Sequence, residues 1–132
     1  MPISTRWYDA EHKVIILQFE GDWDWDDLWN AQDEEAKLAA SVSYKLVALV
    51  EMSQTNILPK GNILANGRSS IGKVPDNIAQ IVVVVRSQMI EVFAGLVVEM
   101  MPSWRNRVQI AKTVEEGQRL VAEAVAKYSA DV

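Results

Sequence analysis

The stretch KLVALVEMSQTNILPKGN, residues 45–62, decides the predicted fold. Its apolar run at residues 46–50 has no polar face, which is typical of a strand buried on both faces of a parallel sheet. A polar segment follows at residues 51–56, and the pattern then predicts a helix over about residues 59–70, with Pro59 near its first position. Because α/β proteins commonly place their working surface where a strand leads into a helix, this junction is the first candidate site.

Apolar and alternating segments predict five strands in all. The central one covers residues 44–52, and residues 79–86 contain the run IVVVV, the clearest buried strand of the chain. Residues 3–8 and 13–20 flank a short turn and alternate in polarity, so they predict an antiparallel hairpin at a sheet edge. Residues 107–112 predict a short last strand.

Helical periodicity predicts three further helices. Residues at helical spacing (25, 28, 29, 32, 36 and 39) predict a helix over about residues 25–41, capped by Asp24. Ser87 precedes a helix over residues 88–101 that Pro102 ends, and the capping box from Thr113 to Glu116 begins the last helix. The order ββαβαβαβα predicts one α/β domain over residues 1–132, with a mixed, mainly parallel sheet, an N-terminal antiparallel hairpin and four helices.

Composition excludes several classes of protein. The net charge of −5 and the lack of a basic cluster argue against nucleic-acid binding. The chain has no cysteine, so disulfides, thiol nucleophiles and thiolate metal sites are excluded. The first residues do not resemble an export signal, and no apolar run reaches the ~18 residues that span a bilayer. We therefore expect a cytoplasmic protein with no transmembrane segment.

Few residues suggest catalysis. His12 is the only histidine, and it falls in the predicted first turn, so we predict a plain surface residue rather than part of a catalytic triad or a metal site. An enzyme that uses Glu51, Ser53 and Lys60 is our third hypothesis, because no base with an obviously tuned pKa accompanies them. We predict no catalytic residue.

No metal or cofactor site is predicted either. The acidic cluster at residues 22–27 lacks the glycine and glutamate positions of an EF-hand loop, and helix capping explains its carboxylates more simply. No glycine-rich phosphate loop occurs, since residues 61–67 match neither known pattern.

The third predicted helix is apolar around most of its circumference, whereas a helix covering one side of a sheet needs only one apolar face. Burial beneath neighbouring helices would explain this composition, and so would a homodimer or partner interface. The candidate interface residues are Met89, Val92, Phe93, Leu96, Val97 and Met100. Trp23 is predicted to lie in the core, with an exposed partner anchor as the alternative.

The element order and the junction resemble the STAS domain, the fold of the SpoIIAA-type anti-sigma-factor antagonists. The segments FEGDW at residues 19–23 and LPKG at residues 58–61 are similar to those of an uncharacterised bacterial group of SpoIIAA-like proteins. In the antagonist family the second helix begins with Asp-Ser-Ser-Gly, and a partner kinase phosphorylates one of its hydroxyls. Alignment on Gly61 places Leu58, Pro59 and Lys60 at those positions, so the resemblance implies that the phosphorylation site is lost.

Two functions follow as hypotheses. The resemblance implies a bacterial, non-enzymatic regulatory or scaffolding module that acts in signalling through protein–protein contacts. Its candidate partner or anion site is the predicted helix N-terminus with Asn56, Lys60, Gly61 and Asn62. The simpler alternative, that Asn56 caps a turn and Lys60 is solvated, remains open. The alternative is a small-molecule or lipid-binding domain in which the apolar third helix and Trp23 line a pocket.

Overall fold

The structure of the protein, a computed structural model, describes residues 2–129. The predicted domain limits also include residue 1 and residues 130–132, which lie outside the described residues. The predicted order of elements is confirmed. The strands are β1 (Ile3–Trp7), β2 (Val14–Glu20), β3 (Leu46–Gln54), β4 (Ile78–Val85) and β5 (Val108–Ala111). The helices are α1 (Trp25–Ala40), α2 (Ile63–Gly72), α3 (Gln88–Glu99) and α4 (Val114–Ser129), with a short 3-10 turn at Pro102–Trp104.

The five strands form one mixed sheet in the order β1-β2-β3-β4-β5. β1 pairs antiparallel with β2 as the predicted edge hairpin, and the other three pairings are parallel. All eight residues of β4 are buried, as expected for an inner strand with helices on both faces. Neighbouring residues on these strands alternate between two separate apolar cores, one on each side of the sheet.

The helices are divided unequally between the two faces. α4 packs alone on β3, β4 and β5. On the other face, α1 packs on β1 and β2, and α3 packs on β4 and β5. α2 packs mainly against α1 and α3, and so it lies over the space between them. None of the helices among residues 2–129 is long and apolar enough to cross a membrane.

Helix capping explains where α1 and α4 begin. The Asp24 side chain accepts a hydrogen bond from the Asp27 backbone N–H (2.8 Å), and Asp27 accepts one from the Asp24 N–H (2.9 Å). This reciprocal pair is a capping box, so the predicted cap is confirmed. Thr113 likewise accepts from the Glu116 N–H at 3.1 Å.

The prediction for the second helix is wrong at its start. α2 begins at Ile63, with Asn62 as its N-cap, and Pro59 lies in the preceding loop. Asn62 Oδ1 accepts from the Ala65 N–H (3.1 Å), whereas Gly61 has φ of +116°, a conformation that interrupts a helix. α2 then continues to Gly72.

The limits of β3 and α3 also differ from the prediction. β3 extends to Gln54, so most of the polar segment after residue 50 belongs to the strand. α3 ends at Glu99, two residues before the predicted end.

The two glycines Gly117 and Gly95 give a matched test of this packing. A Cβ on Gly117 of α4 would lie 2.4 Å from Val84 Cγ2, whereas one on Gly95 of α3 meets nothing within 4 Å. We expect Gly117→Ala to lower the free energy of unfolding by about 1–3 kcal/mol through overpacking. Gly95→Ala should raise it by roughly 0.5–1 kcal/mol through helix propensity. Urea denaturation of both variants measures the difference, and equal effects would contradict the close contact of α4 with β4.

Candidate functional site

A cavity of about 140 Å³ lies between the sheet and the three helices α1, α2 and α3. Its sheet side is formed by β2, β3, β4 and β5, where Ala48 of β3 is the smallest of the lining side chains. α2 and α3 close the opposite side with Gly67, Ser70, Ile71, Phe93, Ala94, Val97 and Val98. Nearly all of the lining is apolar, and the cavity extends from the larger of the two cores to a partial opening at the surface.

Aromatic rings form one wall of the cavity. Trp23 meets Phe19 edge to face with ring centres 5.0 Å apart, and it meets Trp25 in the same way at 5.3 Å. Trp25 in turn lies 6.4 Å from Phe93 of α3. Trp23 is 6% exposed, so its predicted core position is confirmed and the exposed alternative is excluded.

The same two tryptophans hold the loop before α2. Trp23 Nε1 donates to the Ile57 carbonyl, and Trp25 Nε1 donates to the Lys60 carbonyl, both at 3.2 Å. Each indole therefore has the hydrogen-bond partner that a buried Trp N–H needs. The loop that follows β3 is thereby fixed on the aromatic wall.

Close contact between α2 and α3 limits the cavity on the far side. A Cβ on Gly67 would lie 2.6 Å from Val97 Cγ2 and 3.0 Å from Phe93 Cζ. Gly67 is buried, and the absence of a side chain there lets the two helices approach closely. Phe93 and Val97 therefore face inward.

Two polar residues of α1 line the cavity, one helical turn apart. Gln32 Nε2 donates to the Ser70 carbonyl (2.8 Å) and to the Ser70 hydroxyl (3.2 Å), which ties α1 to α2. Its Oε1 is buried and has no hydrogen-bond partner within residues 2–129. Glu35 is 3% exposed, and burial raises the pKa of its carboxyl group to about 7.

Glu35 is the site residue that the sequence prediction missed. The predicted helical face contained Ala36, which is exposed, instead of Glu35, which is buried. Apolar periodicity passes over an acidic residue, because carboxylates are usually solvated. The available signal was spacing: Leu28, Gln32, Glu35 and Ala39 lie four, three and four residues apart, on one helical face.

The predicted partner or anion site lies outside the cavity. Asn56, Lys60, Gly61 and Asn62 are all exposed, and none of them lines the cavity. Asn62 Oδ1 serves as the N-cap of α2. The Asn56 and Lys60 side chains make no hydrogen bond within the described part of the chain.

The predicted interface on the third helix divides into two sets. Phe93 and Val97 line the cavity, so these two belong to the interior. Four residues form an exposed apolar stripe, which we call the α3 stripe: Met89 (53% exposed), Val92 (56%), Leu96 (49%) and Met100 (39%).

The other candidate residues serve local structure. Glu51 Oε1 accepts from the Ser53 backbone N–H at 2.8 Å, while Lys60 is exposed. His12 is an exposed turn residue whose ring stacks on Trp7 with centres 4.5 Å apart. Within residues 2–129, no group of three or more His, Asp or Glu side chains is arranged to hold a metal ion.

The raised pKa of Glu35 gives stability a defined pH dependence. The unfolded carboxyl ionises near pH 4.5 and the folded one near 7, so the folded state binds more protons between these values. Stability should therefore fall as pH rises from about 4.5 to about 7, by on the order of 3 kcal/mol, and then level off. Glu35→Gln should remove this decline, whereas Glu34→Gln, an exposed carboxylate on the same helix, should retain it. Unfolding free energies measured from pH 4 to 9 test this, and an unchanged profile in Glu35→Gln would contradict it.

Comparison with known proteins adds no assignment. No family model matches the sequence, and neither a curated protein nor a solved structure matches it. The resemblance to STAS domains therefore remains a prediction, while the α/β class and the mixed sheet are observed.

Proposed function

We propose that the protein binds a small, largely apolar molecule in the cavity between the sheet and α1, α2 and α3. The observation that supports this is an apolar cavity of about 140 Å³, open in part to solvent, between the sheet and three helices. A larger residue at Ala48 or Ala94 would fill part of it, yet the chain has alanine at both lining positions.

The size of the cavity indicates the size of the ligand. An engineered apolar cavity of about 150 Å³ in another protein stays dry and binds benzene. A cavity of about 140 Å³ therefore suits one ring or a short branched chain. A complete acyl chain of a membrane lipid needs more volume than this cavity has. A small molecule is therefore the better fit.

Toluene is a suitable probe for this proposal. Saturating toluene should raise the Tm of the wild-type protein, because a ligand that binds only the folded state stabilises it. Binding should also change the tryptophan fluorescence, since Trp23 and Trp25 line the cavity. Ala94→Leu should abolish both responses and raise the free energy of unfolding by about 1 kcal/mol as it fills the cavity.

Ala122→Leu, at an exposed position of α4, is the matched control and should leave toluene binding intact. A wild-type protein that shows no response to toluene would contradict the proposal, as would an Ala94→Leu variant that binds toluene like the wild type.

A second candidate function is a cytoplasmic, non-enzymatic regulatory or scaffolding module of SpoIIAA-like fold. The α3 stripe supports it, because residues 89, 92, 96 and 100 recur at helical spacing and remain exposed. We propose a second copy of the chain as the partner, with the exposed Asn56 and Lys60 as a separate contact for another protein. The observed element order and mixed sheet are compatible with that family.

Sedimentation equilibrium tests the proposed dimer. The wild-type protein should associate at high concentration, and Leu96→Glu should shift it to monomer, because two like charges would then be desolvated at the symmetric contact. Val114→Glu changes an equally apolar exposed position on α4 and should leave association unchanged. A wild-type protein that stays monomeric at millimolar concentration would exclude the dimer.

A further inference from the structure

The polar groups of the cavity lining are confined to one region. Gln32 and Glu35 lie one turn apart on α1, and Ser70 of α2 is hydrogen-bonded to Gln32. The rest of the lining offers apolar side chains, glycine, and two indole N–H groups already bonded to carbonyls. A ligand in this cavity therefore has an apolar environment for its body and a polar environment for one group.

The polar region presents acceptors. Both Nε2 contacts of Gln32 go to Ser70, which leaves the buried Oε1 as an acceptor with no partner. An ionised Glu35 carboxylate can only accept hydrogen bonds, and within residues 2–129 it receives none. Unpaired buried acceptors cost free energy, and a ligand that supplies donors recovers it.

No cation within residues 2–129 offsets the charge of Glu35. It is the only ionisable side chain in the cavity lining, and Glu51 lines a groove on the opposite face of the sheet. Lys73, after α2, lies over the Trp29 ring at 4.9 Å. The other charged residues of the surrounding helices and strands are exposed or bonded elsewhere: Glu20, Asp26, Asp27, Asp33, Glu34, Lys37, Arg68, Glu91, Glu99 and Arg107.

From this arrangement we infer that the ligand of the cavity is a small apolar amine, whose protonated nitrogen donates hydrogen bonds to Glu35 and Gln32. A primary ammonium supplies three donors and a positive charge, so it satisfies both acceptors and pairs the buried carboxylate. A carboxylate ligand would bring further acceptors and a second negative charge. A hydrocarbon would leave the polar groups as they are. This inference rests on the proposed ligand-binding function.

Three single-ring probes of similar size test the inference: benzylamine, toluene and phenylacetate. Hydrogen bonds to charged groups contribute about 1.5–3 kcal/mol, which corresponds to roughly a 10- to 100-fold difference in affinity. At pH 8 the wild-type protein should therefore bind benzylamine at least about tenfold more tightly than toluene. Phenylacetate should bind more weakly than either. Isothermal titration calorimetry measures all three.

Two variants and a pH series test whether Glu35 causes the preference for benzylamine over toluene. Glu35→Gln should lose the preference for benzylamine while it still binds toluene, and the control Glu34→Gln should keep the preference. In the wild type, the ratio of benzylamine to toluene affinity should rise between pH 5 and pH 8, because Glu35 ionises in that range while the amine stays protonated. The pH series is measured on the wild-type protein, so its result stands even if Glu35→Gln disturbs folding.

The possible failures are distinguishable. If no probe binds, the proposed function is wrong and the inference falls with it. If toluene binds as tightly as benzylamine, or if phenylacetate binds best, the cavity still binds ligands but the inferred amine is wrong. A benzylamine preference that persists in Glu35→Gln would likewise overturn the role of Glu35.

Discussion

α1 and α3 lie apart on one face of the sheet, and their separation determines where the cavity forms. α1 packs on β1 and β2 and α3 packs on β4 and β5, so the small side chain of Ala48 on the middle strand lies beneath the space between them. α2 covers that space by packing on the two helices, which the bare Cα of Gly67 permits. Three helices placed in this way leave a gap above β3, whereas the single helix α4 packs directly on three strands of the other face. The cavity is thus a consequence of helix placement.

Much of the fold could be predicted because its signals are local. The apolar runs in β3 and β4, the alternation in β1 and β2, and the caps at Asp24 and Thr113 each act within a few residues. The start of α2 could not be predicted in the same way. Pro59 suits a helix start in isolation, but Trp25 holds the Lys60 carbonyl from 35 residues away, and Gly61 takes a conformation that ends any helix there. A tertiary contact therefore overrode a local preference.

The candidate site could be predicted only in part, for a related reason. The alternative function predicts a pocket lined by Trp23 and the third helix, and Trp23 and only the inward side of α3 line the cavity. Glu35 was missed because apolar periodicity assigns a helical face by hydrophobicity, and here a carboxylate occupies that face. The junction before α2 was identified as the site itself. In the structure its exposed side chains do not line the cavity. Its backbone holds the aromatic wall, since the Ile57 and Lys60 carbonyls accept hydrogen bonds from the two tryptophans.

Two separate costs to stability coincide in this cavity. Unfilled volume costs free energy through lost packing, and a buried carboxyl group without a partner costs free energy through lost hydration. Either one alone occurs in proteins as an imperfection of the core. Imperfect packing alone does not explain why both occur together. Gln at position 35 would remove the charge, and a larger residue at Ala94 would fill the volume. Both features are removed at once by a single event, the entry of a molecule that fills the space and donates hydrogen bonds to the acid.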